Sequence, residues 1–296
     1  LNRMFPVKLH WKMHPDRDDE WLEQQRAELG DKRTKQEIEC DFLRSGFNVF
    51  NMDKIRAIEE RLKQRNPIKK ERAGFEGEIL YYWDFDPSKT YVLGGDISTG
   101  RAKDYSSFSI MDTTGKQYVV YKGKIQPREY GKLIMRIGAM YGNATLAPER
   151  NAIGEGAVAI LEDYNYPNVF HHVEKVLRLD EWEHRESDVL GWFTTGKTRN
   201  TIISGMDEDL DNDLVELWNP YFVNEGYQFV YDSNNKPIAL GKNSKSRKSK
   251  SSAFYDDGKG LYTDDAILGD CITNEVRKAP YLLRDSSATP IMMGGF

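Results

Sequence analysis

The stretch YVLGGDISTG, residues 91 to 100, decides the fold class, because it joins a short apolar run to an acidic residue. The apolar run is followed by two glycines and then by Asp96. A short apolar run bounded by glycine predicts a buried strand. A carboxylate at the end of such a strand is in the usual position for a functional residue of an α/β sheet. The stretch therefore predicts a strand that ends at Asp96.

The runs that follow predict a mixed sheet. SSFSIMD (106 to 112) and KQYVVYKGKI (116 to 125) are strand-like, and Gly115 between them favours an antiparallel meander. The next elements are a helix at 128 to 142, a strand at 144 to 151, a helix at 154 to 165 and a strand at 168 to 173. The order β-β-β-α-β-α-β predicts an α/β fold, with a mixed sheet flanked by helices.

The carboxy-terminal third predicts further elements around this sheet. They are a helix at 198 to 213, a strand edge at 215 to 218, a β-hairpin formed by YQFVY and PIAL around DSNNK, and a helix at 263 to 278. Thr263 and Asp264 suit the start of the last helix. Residues 281 to 296 lack periodicity, and we expect a flexible tail there.

The amino-terminal part, residues 1 to 72, is strongly charged and has a helical pattern. RDDEWLEQQRAELG has acidic residues early and Gly30 as a stop, and MDKIRAIEERLKQRNP repeats apolar residues at helical spacing. Neither segment has clustered catalytic residue types. We therefore expect a helical linker at 1 to 72 and a main domain at 73 to 280.

The composition is that of a globular chain able to bury a core. Of 296 residues, 39% are hydrophobic and 30% are charged, and no run approaches the ~18 apolar residues of a membrane span. Cys40 and Cys271 are the only cysteines, which excludes a disulfide framework and a cysteine-built zinc site and fits a reducing compartment. The formal net charge of -5 means that any nucleic-acid contact needs a local basic patch. The chain opens with Leu1 and not with Met, which suggests a fragment or a processed product.

Acidic residues stand at the ends of several apolar elements. These are Asp96, Glu149 and the pair Asp264 and Asp265, with Asp104 a short loop after the first. Any one of them could be a solvated carboxylate or a helix cap. Gathered without arginine partners they would repel one another, and hard divalent cations with oxygen ligands would relieve that repulsion.

Three motifs in order resemble those of the nuclease domain of tailed-phage large terminase subunits. They are D-I-S-x-G-x-x-x-D from Asp96, E-R-N-x-x-G from Glu149, and T-D-D-A-x-L from Thr263. The similarity covers roughly residues 75 to 280 and implies an RNase H-like fold. HPDRDDEW and QEIECDFLRSGFNVF also resemble the segment that joins the terminase motor to its nuclease.

The resemblance implies a role for each acid. Asp96 would be the first metal ligand, on the central strand, and Glu149 the second, on the neighbouring parallel strand. Asp264 and Asp265 would supply the third, with the stronger of the two left open, and Asp104 would be a supporting acid. The ions would be Mg²⁺ or Mn²⁺, two in number. Two departures are Thr263, where relatives often have histidine, and Pro148, which a central strand tolerates only where it ends.

The function implied is a metal-dependent endonuclease that cuts concatemeric double-stranded DNA at the start and end of viral genome packaging. Its partners would be a motor ATPase domain, the portal protein and the small terminase subunit, at the procapsid portal vertex in the host cytoplasm, with no membrane. Alternatives are a junction resolvase or transposase type of nuclease, and a non-catalytic packaging scaffold.

Basic residues predict contacts with DNA phosphates at two places. Lys197 and Arg199 open the helix that begins near 198, and a serine-rich loop carries the densest cluster: Lys242, Lys245, Arg247, Lys248 and Lys250. The alternative for that loop is a solvated, disordered segment.

GWFTTGKT, residues 191 to 198, matches the pattern of a nucleotide-binding phosphate loop in full. The context argues against a nucleotide, because the preceding stretch LDEWEHRESDVL is too charged for a buried central strand and the loop interior is bulky. We expect a turn that starts a helix from Thr198.

Overall fold

The strand predicted at 91 to 96 lies inside a six-stranded mixed sheet. In this computed structural model, residues 11–29, 34, 38, 48–100, 105–176, 185–232, 234–239 and 263–279 are described. The strands of the sheet are β1 (Lys69–Arg72), β2 (Phe75–Tyr81), β3 (Tyr91–Asp96), β4 (Ser106–Asp112), β5 (Gln117–Lys124) and β6 (Thr145–Pro148). Their order is β1-β2-β5-β4-β3-β6, and only the β3–β6 pair is parallel.

The remaining elements surround this sheet or extend it. The helices are α1 (Asp19–Leu29), α2 (Met52–Gln64), α3 (Pro127–Met140), α4 (Glu155–Asp163), α5 (Gly196–Asp211), α6 (Pro220–Gly226) and α7 (Asp265–Val276), with a short 3-10 helix at Trp11–Met13. Two antiparallel hairpins are formed by β7 (His171–Val176) with β8 (Arg185–Leu190), and by β9 (Phe229–Tyr231) with β10 (Pro237–Ala239). None of the helices in the described ranges has the length and apolar character needed to cross a membrane.

The fold class predicted from the sequence is confirmed. β3, β4 and β5 form the expected antiparallel meander, and β6 returns parallel to β3 after a helix, which gives the RNase H-like mixed sheet flanked by helices. The added hairpin is present as β9 and β10. Alternation of side chains explains the layers, because successive strand residues point to opposite faces.

Each face of the sheet is covered by a separate hydrophobic cluster. Val92 and Met111 pack with residues of α2, α5, α6 and α7, whereas Leu93 and Ile110 pack with residues of α3 and α4. The molecule therefore has three layers, with α7 lying directly on β3 and β4.

The sequence missed or misplaced five elements. Residues 69–72, grouped with the linker, form the edge strand β1, and β2 and α6 were not predicted. The segment 215 to 218, predicted as a strand edge, makes a single bridge through Glu216 to Lys116. A charged strand, β8, does precede Gly191, but it pairs with β7 and takes no part in the six-stranded sheet.

Part of the expected linker belongs to the core. Val49, Phe50 and Ile55 are almost completely buried in the cluster formed with α5, α6 and α7. Phe50 packs against Phe222 in a tilted arrangement and stacks on Phe229, with ring centroids 5.1 Å and 5.8 Å apart. The boundary at 72 stays a prediction, and these contacts favour a folded unit that begins before α2.

Candidate active site

Two glycines let helices approach the end of β3 from opposite faces. A Cβ at Gly94 would lie 2.5 Å from the backbone nitrogen of Thr273 on α7, and a Cβ at Gly95 would lie 1.9 Å from the Tyr130 hydroxyl on α3. A side chain at either position would push one helix away. The next residue is Asp96, which remains partly exposed. The strand that the sequence singled out therefore delivers its acid between two closely packed helices.

Glu149 lies beside Asp96 because β6 runs parallel to β3. Gly95 is paired with Pro148, and the Glu149 N–H donates to the Gly95 carbonyl at 2.8 Å. β6 ends at Pro148, so the proline stands where a strand tolerates it. Asn151 donates its side-chain N–H to Glu149 Oε2 at 2.8 Å and holds the carboxylate, which is 6% exposed.

Asp264 and Asp265 lie at the amino-terminal end of α7, almost completely buried. The Tyr105 N–H donates to Asp265 Oδ2 at 3.0 Å, and the Ser107 hydroxyl donates to the Asp265 carbonyl at 2.6 Å. Gly269 allows this contact, because a Cβ there would lie 2.5 Å from Ser107 Oγ. The start of α7 is thus fastened to the beginning of β4, next to the end of β3.

The electrostatics show that the four acids influence one another. Burial raises the pKa of Asp96 well above its ordinary value, and the carboxylate of Glu149, through its charge and a hydrogen bond, raises it further. The charges of Asp265 and Asp264 act in the same direction. Carboxylates from two strand ends and one helix start therefore lie close enough for the other three to raise the pKa of Asp96.

The acids are not arranged as a finished metal site. No group of three or more His, Cys, Asp or Glu among the residues described could hold a metal ion as the side chains stand. Arg199 Nη2 on α5 donates to Asp264 Oδ2 at 2.5 Å and neutralises that acid. The donor chemistry nevertheless fits a hard divalent cation, because every group is a carboxylate and a cation would relieve the repulsion at Asp96.

A buried ion pair beside the site was not anticipated from the sequence. Lys122 Nζ on β5 donates to Glu225 Oε1 at 2.5 Å and to Thr263 Oγ1 at 2.7 Å. Burial raises the pKa of Glu225 to about 7; the charge of Lys122 opposes this shift, and the charge of Asp265 adds to it. The one sequence signal was Thr263 itself, because it stands where relatives often have histidine.

The GWFTTGKT segment forms a helix start with its own side-chain cap. α5 begins at Gly196, two residues earlier than expected, and Thr195 and Thr198 form a reciprocal capping box. The Thr198 hydroxyl, which would contact a nucleotide's magnesium in a phosphate loop, is used here within the protein. Together with a preceding strand outside the main sheet, this excludes the arrangement of a phosphate loop.

Of the predicted basic residues, the structure describes Lys197 and Arg199. Lys197 is exposed in the first turn of α5. Arg199 is directed inward, donating to Asp264 and, through Nη1, to the Pro237 carbonyl at 2.9 Å. Asp104 and the cluster Lys242, Lys245, Arg247, Lys248 and Lys250 lie outside the described residues.

Comparison with known proteins gives similarity at the level of structure. No family model and no curated protein sequence matches the chain. The large terminase nuclease of thermophilic phage G20c with bound magnesium is similar at 15% identity and a TM-score of 0.47, over 74% of this chain and 96% of that chain. The same nuclease with bound cobalt gives 15%, 0.48, 74% and 96%, and a Thermus phage large terminase nuclease domain gives 16%, 0.45, 73% and 93%. Because these identities and TM-scores are low, we base the function on the motifs and the geometry of the acidic site.

Proposed function

We propose that the chain is a divalent-metal-dependent DNA endonuclease of the terminase large-subunit type. The observation that carries the proposal is the convergence of Asp96, Glu149 and the Asp264–Asp265 pair at the ends of β3 and β6 and the start of α7, where burial and the neighbouring acids raise the pKa of Asp96. Structural acids are normally satisfied by hydrogen-bond donors, whereas acids placed against other acids need a proton or a cation. Perturbed carboxylates of this kind are typical of functional sites.

The residues that would hold the ions are Asp96, Glu149, Asp264 and Asp265. Divalent cations bound there would lower the pKa of a water molecule and stabilise charge on a phosphodiester. The carboxylates would act as the ligands of these ions. Asp265 is already oriented by Tyr105 and Ser107. We propose Mg²⁺ or Mn²⁺, with two ions.

Basic residues near the acids would bind the DNA backbone. Lys197 is exposed at the start of α5, two residues before Arg199, whose guanidinium contacts Asp264. Phosphate oxygens carry no sequence information, so such contacts would position DNA without reading its bases. We propose the same role for the cluster at 242 to 250 and a supporting role for Asp104.

The packaging context rests on the resemblance of the three motifs to those of large terminase nuclease domains. We propose that the endonuclease cuts concatemeric double-stranded viral DNA when packaging starts and ends, together with a motor ATPase domain, a portal protein and a small terminase subunit. This would take place at the procapsid portal vertex in the host cytoplasm. GWFTTGKT supplies no motor, because its helix start is closed by its own side chains.

The experiment is a plasmid-cutting assay with purified protein and Mn²⁺, comparing the parent with Asp96→Asn. The change removes one ligand charge and keeps the shape, so cutting is expected to be lost with the fold retained. The matched control is Asp86→Asn, at a position that precedes the start of β3. This variant should cut as the parent does. If Asp96→Asn cuts equally well, the metal-nuclease proposal fails. If parent and variant both bind DNA and neither cuts, the chain is a non-catalytic packaging scaffold.

A further inference from the structure

Helix α7 starts without help from its own capping residue. Asp264 occupies the N-cap position but makes no side-chain hydrogen bond to the first turn. An aspartate at this position ordinarily accepts from the second or third N–H of the helix. Here the third N–H, that of Ile267, donates at 3.0 Å to Glu225 Oε2 on α6. The cap of α7 is therefore supplied by another helix.

The capping carboxylate is itself held by two neighbours. Lys122 donates to Glu225 Oε1, and the Thr263 hydroxyl donates to the same oxygen at 2.8 Å. Lys122 also donates to Thr263 Oγ1 at 2.7 Å, which closes a ring of three side chains. Glu225 and Thr263 are 7% and 5% exposed, so these bonds are formed away from bulk water.

We infer that Glu225, held by Lys122 and Thr263, is a positioning residue that caps α7 in place of Asp264 and so keeps the Asp264 carboxylate out of the helix cap, on the side where it pairs with Arg199 and where a metal would replace that partner. This inference rests on the proposed function. The first-turn N–H groups of α7 need an acceptor, because they have no partner within the helix. Without Glu225, the nearest acceptor in sequence is Asp264, and its carboxylate would turn away from Asp96 to take up the cap.

A neighbouring lysine on the same face of β5 forms a separate ion pair with an exposed glutamate. Lys124, two residues further along, also lies 4.9 Å from the Tyr105 ring centroid and also pairs with a glutamate, Glu76, at 2.7 Å. Glu76 is exposed near the start of β2, and its partners are Lys124 and Tyr105. The Lys124–Glu76 pair therefore serves as a matched control for the Lys122–Glu225 pair.

The test uses the double variant Lys122→Met with Glu225→Leu, which removes the buried pair as a unit and leaves no lone buried charge. Mn²⁺ affinity is measured by isothermal titration in the absence of DNA, next to the thermal midpoint of unfolding. We expect Mn²⁺ affinity to fall about tenfold, the size of effect seen when residues that orient metal ligands are removed. Lys124→Met with Glu76→Gln should bind Mn²⁺ as the parent does.

The outcomes separate positioning from simple stability. A double variant with a lower midpoint and parental Mn²⁺ affinity would overturn the inference and leave the nuclease proposal intact. If the double variant does not fold, Thr263→Val decides, because it removes the hydroxyl that bridges Lys122 and Glu225 without changing charge. We expect it to weaken Mn²⁺ binding several-fold, and parental affinity would overturn the inference. A parent chain that binds no Mn²⁺ would overturn both proposals.

Discussion

Helix α7 carries two buried acidic clusters that differ in what surrounds the carboxylates. At its start, Asp264 and Asp265 face Asp96, so acid is placed against acid. In its middle, Asp270 accepts from Gln117 Nε2 at 2.9 Å and from Asn219 Nδ2 at 3.0 Å. Asp264, Asp265 and Asp270 are all almost completely buried. Burial alone does not mark a functional acid, whereas burial against like charges does.

The cluster around Asp270 connects three elements of the fold through hydrogen bonds. Gln117 also accepts from the Trp218 N–H at 2.6 Å, and Asn219 also accepts from the first-turn N–H groups of α6. Both amides are therefore fixed in the orientation that donates to Asp270. The cluster ties β5 and α6 to α7, and the same α6 presents Glu225 to the start of α7.

The largest expected effect is that of Asp265→Asn at the start of α7. Cutting in Mn²⁺ should fall by at least ~100-fold, because loss of a ligand should exceed the 10–100-fold effect of losing a group that orients one. The thermal midpoint should stay level or rise, since one repelling charge is removed. Plasmid cutting and a thermal melt measure the two quantities. A large loss of stability with full activity would show that Asp265 belongs with the structural acids.

The change Asp270→Asn should lower stability and leave cutting unchanged. The new amide N–H₂ would face the N–H₂ group of Gln117 or Asn219, whose orientation is fixed by other hydrogen bonds. We therefore expect a loss of about 1–3 kcal/mol in the free energy of unfolding. Cutting per folded molecule should be unchanged. Denaturant unfolding gives the first quantity, and an assay well below the midpoint gives the second. Loss of activity without loss of stability would contradict the separation of the two clusters.

The pH dependence of unfolding also tests how Asp270 differs from the acids at the start of α7. Burial raises the pKa of Asp270 to about 6, while hydrogen bonds from Ser109, Asn219 and Gln117 oppose the shift. Because this pKa is raised on folding, the folded state binds the proton more tightly, and the contribution of Asp270 to stability declines as pH rises towards and through 6. The destabilisation by Asp270→Asn should therefore be about 1 kcal/mol larger near pH 5 than near pH 7. Denaturant unfolding of parent and variant at the two pH values measures this, and equal destabilisation at both pH values would show that Asp270 is charged throughout.

The smallest expected effect concerns Arg199, the one cation that contacts an acid of the proposed metal set within the described residues. Arg199→Gln leaves Asp264 without its positive partner, so Mn²⁺ affinity without DNA should rise by about fivefold. If Arg199 acts only on DNA, Mn²⁺ affinity should not change. Lys197→Gln is the control, since this exposed side chain should affect DNA binding and its salt dependence alone.

The sequence was sufficient for four of the six strands of the sheet, and its assignment of the acids as metal ligands stays a prediction. The apolar run ending at Asp96, the meander and the later parallel strand are local patterns with fixed periods, and the acids follow directly from element ends. Side-chain contacts between elements that are far apart in the sequence could not be predicted from such local patterns. Glu225 lies on a two-turn helix after Asn219-Pro220, and no sequence spacing relates it to Lys122 or Thr263.

The GWFTTGKT segment shows that a complete match to a local sequence pattern does not by itself establish the structure that the pattern usually forms. The match to a phosphate loop was complete, but the chemistry depends on which sheet the preceding strand joins. β8 pairs with β7 alone, and the threonine of the motif closes a capping box. Charge in the preceding stretch was the useful signal, because it argued against a buried central strand, although it did not reveal that a strand was there.

The most direct test of the central claim is a crystal structure of the protein soaked in Mn²⁺, with anomalous scattering used to locate the metal. We predict anomalous peaks between Asp96, Glu149 and the Asp264–Asp265 pair, together with separation of Arg199 from Asp264. A saturating soak that leaves the Arg199–Asp264 ion pair in place and shows no peak among these four carboxylates would contradict the proposed metal site.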